Sequence, residues 1–163
     1  LAKHVIRNNV RSVINTNNKG NAWWIFNFPF NLINEPIFVL TCDNITNINF
    51  NLIEKDYIKK GKPECFLIPV NPVKKLEGDF IHKKKNIVTK LSRNAVSDIY
   101  CSGIQIINPY KINKIMKKTE DFNKVWKKLI LKKKLLVSDI VPDQWFTIDS
   151  IKQLNMYKKR STK

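Results

Sequence analysis

Two acidic side chains, Asp43 and Asp149, stand where predicted strands end, and they are the first candidates for chemistry in this chain. Asp43 follows the apolar run at residues 37–42, which predicts a short strand buried on both faces. Asp149 follows the strand predicted at residues 144–148. Ligands of open α/β sheets bind beyond the carboxyl ends of the strands, where two converging carboxylates and substrate phosphates would suit Mg²⁺. The alternative is that Asp43 only caps a turn or the next helix.

No other group of residues has the spacing of a catalytic or metal-binding motif. The two histidines, His4 and His82, are isolated, and the three cysteines lack metal-ligand spacing. The chain contains neither a G-x-S-x-G segment nor a Walker phosphate-binding loop. Asp43 and Asp149 are therefore the only residues whose positions in the sequence predict a catalytic or metal site.

A second candidate for ligand contact is the segment Gly20-Asn21-Ala22, which separates a polar loop from an apolar stretch containing Trp23 and Trp24. At a junction between loop and helix, backbone N–H groups are free to meet a ligand. The alternative is an ordinary helix start with the tryptophan side chains in the core. The pattern leaves both interpretations open.

The composition predicts one folded domain with a strong positive charge. The 163 residues are 43% apolar, and 30 Lys and Arg against 13 Asp and Glu give a formal net charge of +17. Such a field attracts nucleic acid, anionic lipid or phosphorylated small molecules, but the scattered lysines favour solvated faces over a nucleic-acid footprint. Cysteines inside predicted strands favour a reduced, cytoplasmic setting, and no apolar run is long enough to cross a membrane.

Periodicity and turn signals predict the elements that would position these residues. In chain order they are a helical remnant at 1–9, a strand at 10–14, a helix start at 22–28, the strand at 37–42, a helix from 49 or 51 to 60, a strand at 64–70, strands at 87–91 and 99–107 joined by a hairpin-like loop, a helix from 119–121, strands at 135–140 and 144–148, and a helix at 151–157. Ser102-Gly103 interrupts its strand and predicts a bulge or a close backbone approach. We expect a single domain over residues 1–163, with residues 158–163 as a frayed tail.

In the order of its elements and in several motifs, the chain resembles the sugar-1-phosphate nucleotidyltransferases, or NDP-sugar pyrophosphorylases. Gly20-Asn21-Ala22 resembles the family's G-T-A segment near the nucleotide. Residues 38–44, FVLTCDN, resemble its strand that ends in a metal-binding Asp. Residues 145–154, WFTIDSIKQL, resemble the closing W-x-x-I-D-[ST]-x-x-x-L motif, whose Asp is the second metal ligand.

Three shorter segments fit the same family. Glu77-Gly78-Asp79-Phe80 falls where a Gly lies against the sugar, Ser92-Arg93 where Glu-Lys is frequent, and Ser102-Gly103 matches an S-G-I or N-G-I strand. The resemblance covers roughly residues 10–157. Each motif is weak alone, so their order and spacing carry the resemblance.

The resemblance implies an α/β fold, a Rossmann-like three-layer sandwich with a mixed, mainly parallel sheet, as in the nucleotide-diphospho-sugar transferases. It implies Mg²⁺-dependent transfer of a nucleotidyl group from an NTP to a sugar-1-phosphate, which releases pyrophosphate and gives an NDP-sugar for cell-surface polysaccharide or related biosynthesis. Asp43 and Asp149 would hold Mg²⁺, and Lys90 or Arg93 would neutralise the sugar phosphate. The implied substrate-binding residues are Gly20, Asn21, Ala22, Gly78, Ser102 and Gly103.

The chain departs from the family pattern in two places. The family opens with a Gly-rich strand and loop that hold the triphosphate, and this sequence has no such loop, so we expect the first strand to be absent as well. Other members place the second acid in W-x-D-x-G-T. Aligned that way, Thr147 takes the position of the acid and Asp149 that of the glycine.

Two rival functions belong to other classes. A basic nucleic-acid-binding module without catalysis would show salt-sensitive binding that Asp43→Ala does not weaken. A nucleotide or sugar sensor would be stabilised by its ligand without turnover. Under the transferase interpretation the partners are an NTP and a sugar-1-phosphate, with neither nucleic acid nor membrane.

Overall fold

The computed structural model describes residue 7 and residues 9–161. Its strands are β1 (Ile37–Val39), β2 (Asn44–Asn47), β3 (Cys65–Val70), β4 (Phe80–Lys84), β5 (Ile87–Ser92), β6 (Tyr100–Ile107), β7 (Leu135–Val137) and β8 (Gln144–Thr147). Its helices are α1 (Phe50–Lys59), α2 (Pro109–Ile115), α3 (Phe122–Leu131) and α4 (Ile151–Ser161), with short 3-10 helices at Trp23–Phe26 and Phe30–Leu32. The helical remnant expected at residues 1–9 lies largely outside the described residues.

Strand β3 is buried on both faces and divides the core into two clusters. Cys65 and Leu67 face one cluster, which includes side chains of α2 and α3. Phe66 and Ile68 face the other, which includes side chains of α1. Because successive side chains of a strand point to opposite faces, helices on both sides cover the sheet. The expected three-layer α/β arrangement is confirmed.

The main sheet has the strand order β1-β6-β3-β7-β5-β4. Among the described pairs only β3 and β7 run parallel, so the sheet is mixed, as expected, but mainly antiparallel rather than mainly parallel. The expectation failed because β6 lies between β1 and β3 in the opposite direction, and because β4 and β5 form a hairpin that needs only a short turn. Strands β1, β3 and β7 still point the same way, so their carboxyl ends share one edge of the sheet.

Strand β1 is shorter and more exposed than the sequence predicted. It ends at Val39, lies at the edge of the main sheet and is only half-buried, and the side chain of Leu40 is 46% exposed. The chain turns at once, with the backbone N–H of Asn44 donating to the carbonyl of Thr41 at 3.4 Å, and continues as β2. The apolar run at 37–42 is therefore a three-residue strand followed by a turn, not a strand buried on both faces.

Three other expectations also needed correction. Residues 10–14 form no strand, because no described strand pairs with them, and Val13 is 67% exposed. The hairpin joins β4 to β5 rather than β5 to β6; the polar residues of β4 concealed that strand. Helix α4 continues to Ser161, so residues 158–161, expected to be frayed, are helical.

The helix starts and the strand interruption agree with their sequence signals. The side chain of Asn49 accepts a hydrogen bond from the backbone of Leu52 at 3.1 Å and caps α1, and Asp121 caps α3 in the same way. Gly103 has φ +80°, and the pairing register of β3 and β6 shifts beside it, which confirms the predicted bulge. Within the described residues, no helix combines the length and apolar character that a bilayer-spanning segment needs.

An ion-pair cluster around Asp139 ties the start of the β7–β8 connection to α1. Lys60 Nζ lies 2.5 Å from one Asp139 carboxylate oxygen, and Asn86 donates to the other at 2.7 Å. The hydrogen bond from Lys60 holds the pKa of Asp139 below its usual value. A lowered pKa in the folded state stabilises the fold above the unfolded-state pKa, and this contribution is lost as the pH falls through the lowered value.

We therefore expect Asp139→Asn to lower the free energy of unfolding at pH 7, and we expect this effect to shrink as the pH falls below 3.8 and to vanish below the lowered pKa of Asp139, where the carboxyl is uncharged in the folded and the unfolded protein. The effect at pH 7 should be small because the Asp139 side chain is half exposed. Urea unfolding at pH 7 and at about pH 2.5 measures it. The exposed Asp143→Asn is the control, and a difference between wild type and Asp139→Asn that persists unchanged at low pH would contradict the assignment.

Candidate metal centre

A small two-stranded sheet brings the two predicted carboxylates together. Strands β2 and β8 pair antiparallel, with Asn44 opposite Thr147. The backbone N–H of Ile148 then donates to the carbonyl of Asp43 at 3.0 Å and extends the ladder by one step. Because the residue before β2 and the residues after β8 lie side by side, Asp43 and Asp149 become neighbours although they are far apart in the sequence.

The hydroxyl of Thr147 lies between the two carboxylates. Thr147 Oγ1 is 3.3 Å from Oδ2 of Asp43 and 3.4 Å from Oδ2 of Asp149. Thr147 is buried, Asp43 is half-buried and Asp149 is exposed, so the pair opens from the protein toward solvent. The structure thus brings together the two residues that the sequence singled out, whereas their role as metal ligands stays a prediction.

Asp43 is held in its charged form with one oxygen unused. Burial raises its pKa, but polar contacts with Thr41, Asp149 and Thr147 outweigh burial and hold the pKa below the usual value. The carboxylate oxygen Oδ1 is buried and has no hydrogen-bond partner. A buried, unpaired carboxylate oxygen is costly unless a cation or a donor satisfies it. Asp43 therefore has one carboxylate oxygen that the fold leaves unsatisfied, and its role as a metal ligand or as a turn cap stays a prediction.

The chemistry of this pair fits a hard divalent cation. Carboxylate oxygens are the protein ligands that Mg²⁺ prefers, and Mg²⁺ commonly takes only one or two carboxylates and completes its shell with water and substrate phosphates. No group of three or more His, Cys, Asp or Glu side chains with metal-binding geometry occurs in the part of the chain that the structure describes. An ion bound here would therefore remain open to substrate on several sides.

The start of helix α4 fixes the position of Asp149. Ser150 Oγ accepts a hydrogen bond from the backbone N–H of Gln153 at 3.3 Å, and the Gln153 side chain accepts one from the backbone N–H of Asp149 at 2.6 Å. This is the reciprocal pattern of a capping box, displaced by one residue. The cap is made by Ser150 and Gln153, and the side-chain amide of Gln153 also donates to Oδ2 of Asp149 at 3.3 Å, the same oxygen that faces Thr147. Gln153 therefore helps to fix the Asp149 carboxylate at the site.

Asn44 and Trp145 form a support for the pair that the sequence reasoning passed over. Asn44 donates to the carbonyl of Ser102 at 3.1 Å, and Trp145 Nε1 donates to Asn44 Oδ1 at 2.7 Å. A side chain on Gly103 would meet Thr41 at 3.5 Å. Both Asn44 and Trp145 lie inside the motifs quoted above, and a polar residue directly after Asp43 was the available signal.

The structure gives several predicted binding residues a packing role. Ser102 Oγ donates to the carbonyl of Ile68 at 2.6 Å and accepts from the backbone N–H of Ile104 at 3.0 Å, so this buried hydroxyl is satisfied within the fold, and its role at a sugar stays a prediction. Gly78 packs on Tyr100, whose ring would lie 3.1 Å from an added Cβ. Both residues are explained by the fold without a ligand.

Gly20-Asn21-Ala22 likewise docks on the chain instead of presenting free N–H groups. The backbone N–H of Ala22 donates to the carbonyl of Glu120 at 3.1 Å, and that of Gly20 points to the Glu120 carboxylate at 3.4 Å. The side chain of Asn21 accepts from the backbone N–H of Phe122 at 3.1 Å. The expectation of free N–H groups at Gly20 and Ala22 is wrong, because this segment is bound to the start of α3.

The two basic candidates occupy different places. Arg93 pairs with Asp79 at 3.5 Å, and its side chain is 73% exposed. Lys90 lines a cavity between β5 and α3 together with Trp126 and Lys127. Neither contacts Asp43 or Asp149 in the described structure, so their role in neutralising a phosphate stays a prediction.

The cysteine beside Asp43 offers a direct test of this geometry. Burial raises the pKa of Cys101 to about 11 and raises the pKa of Cys65 well above its usual value, whereas Cys42 is exposed. Because the thiolate is the reactive form, we expect one thiol per folded chain to react with a disulfide reagent at pH 8, and three after denaturation. Cys42→Ser should remove the fast reaction. Rapid labelling of Cys65 or Cys101 in the folded protein would contradict the described core.

The comparisons with solved structures agree with this geometry at the level of the fold. The structure is similar to an inositol-1-phosphate CTP transferase from T. maritima (TM-score 0.66, 17% identity, covering 91% of this chain and 64% of that one). It is also similar to a UDP-glucose pyrophosphorylase complexed with UDP-glucose (TM-score 0.65, 15% identity, 98% and 71%). A third neighbour is a protein from Bacillus anthracis assigned as a glucose-1-phosphate thymidylyltransferase (TM-score 0.65, 10% identity, 88% and 61%).

These likenesses show that the chain has the fold of the nucleotidyltransferases that the sequence motifs resemble. The chain spans less than two thirds of the length of two of these neighbours, 64% of the T. maritima protein and 61% of the Bacillus anthracis protein. No family model matches the sequence, and no curated protein is similar enough to be matched. The fold is thus established by structure at identities where sequence comparison alone finds no relative.

Proposed function

We propose that this protein takes part in Mg²⁺-dependent transfer of a nucleotidyl group from an NTP to a sugar-1-phosphate or a similar phosphorylated alcohol. An oxygen of the acceptor phosphate attacks the α-phosphorus of the NTP, the bond from that phosphorus to the bridging oxygen breaks, and pyrophosphate leaves with the negative charge. The products would be an NDP-sugar and pyrophosphate, used for cell-surface polysaccharide or a related purpose. No covalent enzyme nucleophile is needed, since such transfer depends on positioning and charge neutralisation.

The single observation that carries the proposal is the meeting of Asp43 and Asp149 at the hydroxyl of Thr147. Mg²⁺ bound to this pair would neutralise charge on the reacting phosphates. Asp43 would supply its unpaired buried oxygen, Asp149 an exposed one, and Thr147 would fix the distance between them. Arg93 is the candidate for pairing with the acceptor phosphate, because its exposed ion pair with Asp79 costs little to break.

The experiment is a pyrophosphate-release assay over a panel of NTPs and sugar-1-phosphates with Mg²⁺ present, repeated with EDTA. We expect release with at least one pair, and none after the metal is removed. Slower labelling of Cys42 when Mg²⁺ and NTP are added would locate the bound nucleotide beside Asp43. Absence of turnover with every pair, together with unchanged Cys42 labelling, would contradict the proposal. Ligand protection of Cys42 without turnover would instead favour the sensor.

The wild-type protein and Asp43→Ala also distinguish the transferase from a nucleic-acid-binding module. It would bind DNA or RNA with an affinity that falls steeply with salt, and Asp43→Ala would leave that affinity unchanged or raise it. In the transferase, Asp43→Ala abolishes release of pyrophosphate.

A further inference from the structure

A polar cavity opens between the loop that follows β3 and the start of β8. It has a volume of about 470 Å³ and is lined by the loop at residues 71–74, by residues 142–145 and by Arg160 of α4. This volume lies within the range of small-molecule sites, about 300–1,000 Å³. We call it the Trp145 cavity; neither Asp43, Asp149 nor Thr147 lines it, whereas Trp145, which supports the acidic pair through Asn44, does.

The Trp145 cavity is connected to the metal centre through two residues. Trp145 Nε1 donates to Asn44, the residue directly after Asp43. Trp145 and Thr147 are two positions apart on β8, so their side chains project to the same side of that strand. Trp145 is therefore a wall residue of the cavity that also bonds the neighbour of Asp43.

The charges of the cavity wall select for anions. Lys74 and Arg160 contribute two cations against the single acid Asp143, and within the described structure none of the three forms an ion pair. The guanidinium carbon of Arg160 lies 5.6 Å from the centre of the Phe146 ring, a cation–π contact with a residue of β8. Two unpaired cations in a concave site are typical of the recognition of phosphate or carboxylate groups.

The remaining lining residues suit a polyol ring. Asn71 and Gln144 offer side-chain amides that both donate and accept hydrogen bonds, and the indole of Trp145 offers an aromatic edge or face. An acceptor ring with several hydroxyl groups would use these amides, while an anionic substituent on its far side would reach the two cations.

We infer that the Trp145 cavity binds the acceptor ring and that Lys74 and Arg160 bind a second anionic group on it, distinct from the phosphate that reacts at the acidic pair. The inference rests on the proposed function and narrows its substrate class. The preferred acceptor carries a phosphate or carboxylate at the end remote from the reacting phosphate, and a neutral sugar-1-phosphate is a poorer substrate.

Direct binding tests this without any turnover. Calorimetric titration with Mg²⁺ present compares glucose 1-phosphate with glucose 1,6-bisphosphate, which differ only by the second anionic group. We expect the bisphosphate to bind about tenfold more tightly to the wild-type protein, which corresponds to about 1.4 kcal/mol. In Lys74→Gln/Arg160→Gln the two affinities should agree within about twofold, and each single variant should fall between.

A charge-matched control uses the neighbouring lysines, which do not line the cavity. Lys75→Gln/Lys159→Gln removes the same two charges from the same loop and the same helix, so it should retain the preference for the bisphosphate. Equal binding of the two sugars to wild type, absence of binding by both, or loss of the preference in the control would overturn the inference.

The experiments distinguish a failure of the cavity inference from a failure of the proposed transferase function. A preference for the bisphosphate that depends on Lys74 and Arg160, in a protein that turns over no acceptor, would support the cavity and contradict the transferase. Turnover of neutral and anionic acceptors with equal kcat/KM would support the transferase and overturn the cavity.

Discussion

Replacing Asp43 by Asn is expected to lower the rate of nucleotidyl transfer by about three orders of magnitude, which corresponds to a loss of about 4 kcal/mol of transition-state stabilisation. The substitution keeps the shape of the side chain and an oxygen that can accept from Thr147, so the fold should persist. It removes the negative charge that would hold the cation and places an amide where a buried oxygen now lacks a partner. The loss should therefore appear as weaker metal binding and a lower kcat, not as unfolding.

Two measurements locate the effect. Titration with Mn²⁺ in place of Mg²⁺, followed by electron paramagnetic resonance, should show a lower affinity in Asp43→Asn at an unchanged melting temperature. The exposed Asp98→Asn, which removes the same charge elsewhere, should match wild type in both measurements. Wild-type activity of Asp43→Asn would exclude Asp43 as a metal ligand.

The neighbouring variants decide between the two alignments of the closing motif. If Asp149 is the second ligand, Asp149→Asn should also lose most activity, whereas Thr147→Val should lose less because it only frees the two carboxylates from their shared hydroxyl. If the acid has been lost at position 147, Asp149→Asn should be close to wild type. The structure places both residues at the site, so kinetics must separate them.

The sequence predicted structure best where a local pattern of residues is enough to define a helix start or a buried strand. Asn49, one of the two residues expected to start α1, caps that helix, and α3 begins within the segment predicted for its start, with Asp121 as the cap. The continuous apolar run of β3 predicted a strand buried on both faces. The convergence of Asp43 and Asp149 followed from a single rule, that parallel strands bring their carboxyl ends to one edge. In the structure these two residues instead meet through the antiparallel pair β2–β8, so the expected neighbours came about by a different route.

Sequence reasoning failed where tertiary contacts decide the order of the strands and which distant residues meet. Periodicity could not show that β6 enters between β1 and β3, because the direction and order of strands depend on long-range pairing. It could not show that residues 10–14 lack a partner strand, although their alternation is typical of one. Lys74 and Arg160 were invisible for the same reason, since a loop and the end of a helix meet only in the folded chain.

Gly20→Ala is expected to destabilise the fold by about 2–3 kcal/mol, because the added methyl group has no room. A Cβ at this position would lie 2.1 Å from the backbone carbonyl oxygen of Glu120, and that oxygen also accepts the hydrogen bond from Ala22. Backbone cannot rotate away as a side chain does, so the segment must lift from the start of α3. Thermal unfolding should show a decrease in melting temperature of roughly 5–10 °C.

Gly61→Ala is the matched control for this prediction. It also helps to decide whether Gly20 is required for packing on Glu120 or for binding the nucleotide. Gly61 has φ +83° but nothing within 4 Å of an added Cβ, so its substitution carries conformational strain alone, about 1 kcal/mol. A larger loss of stability in Gly20→Ala than in Gly61→Ala, without NTP present, would show that packing on Glu120 requires the glycine. If Gly20→Ala keeps wild-type stability and instead weakens NTP binding, the segment belongs to the nucleotide site, and its docking on α3 must open when the substrate binds.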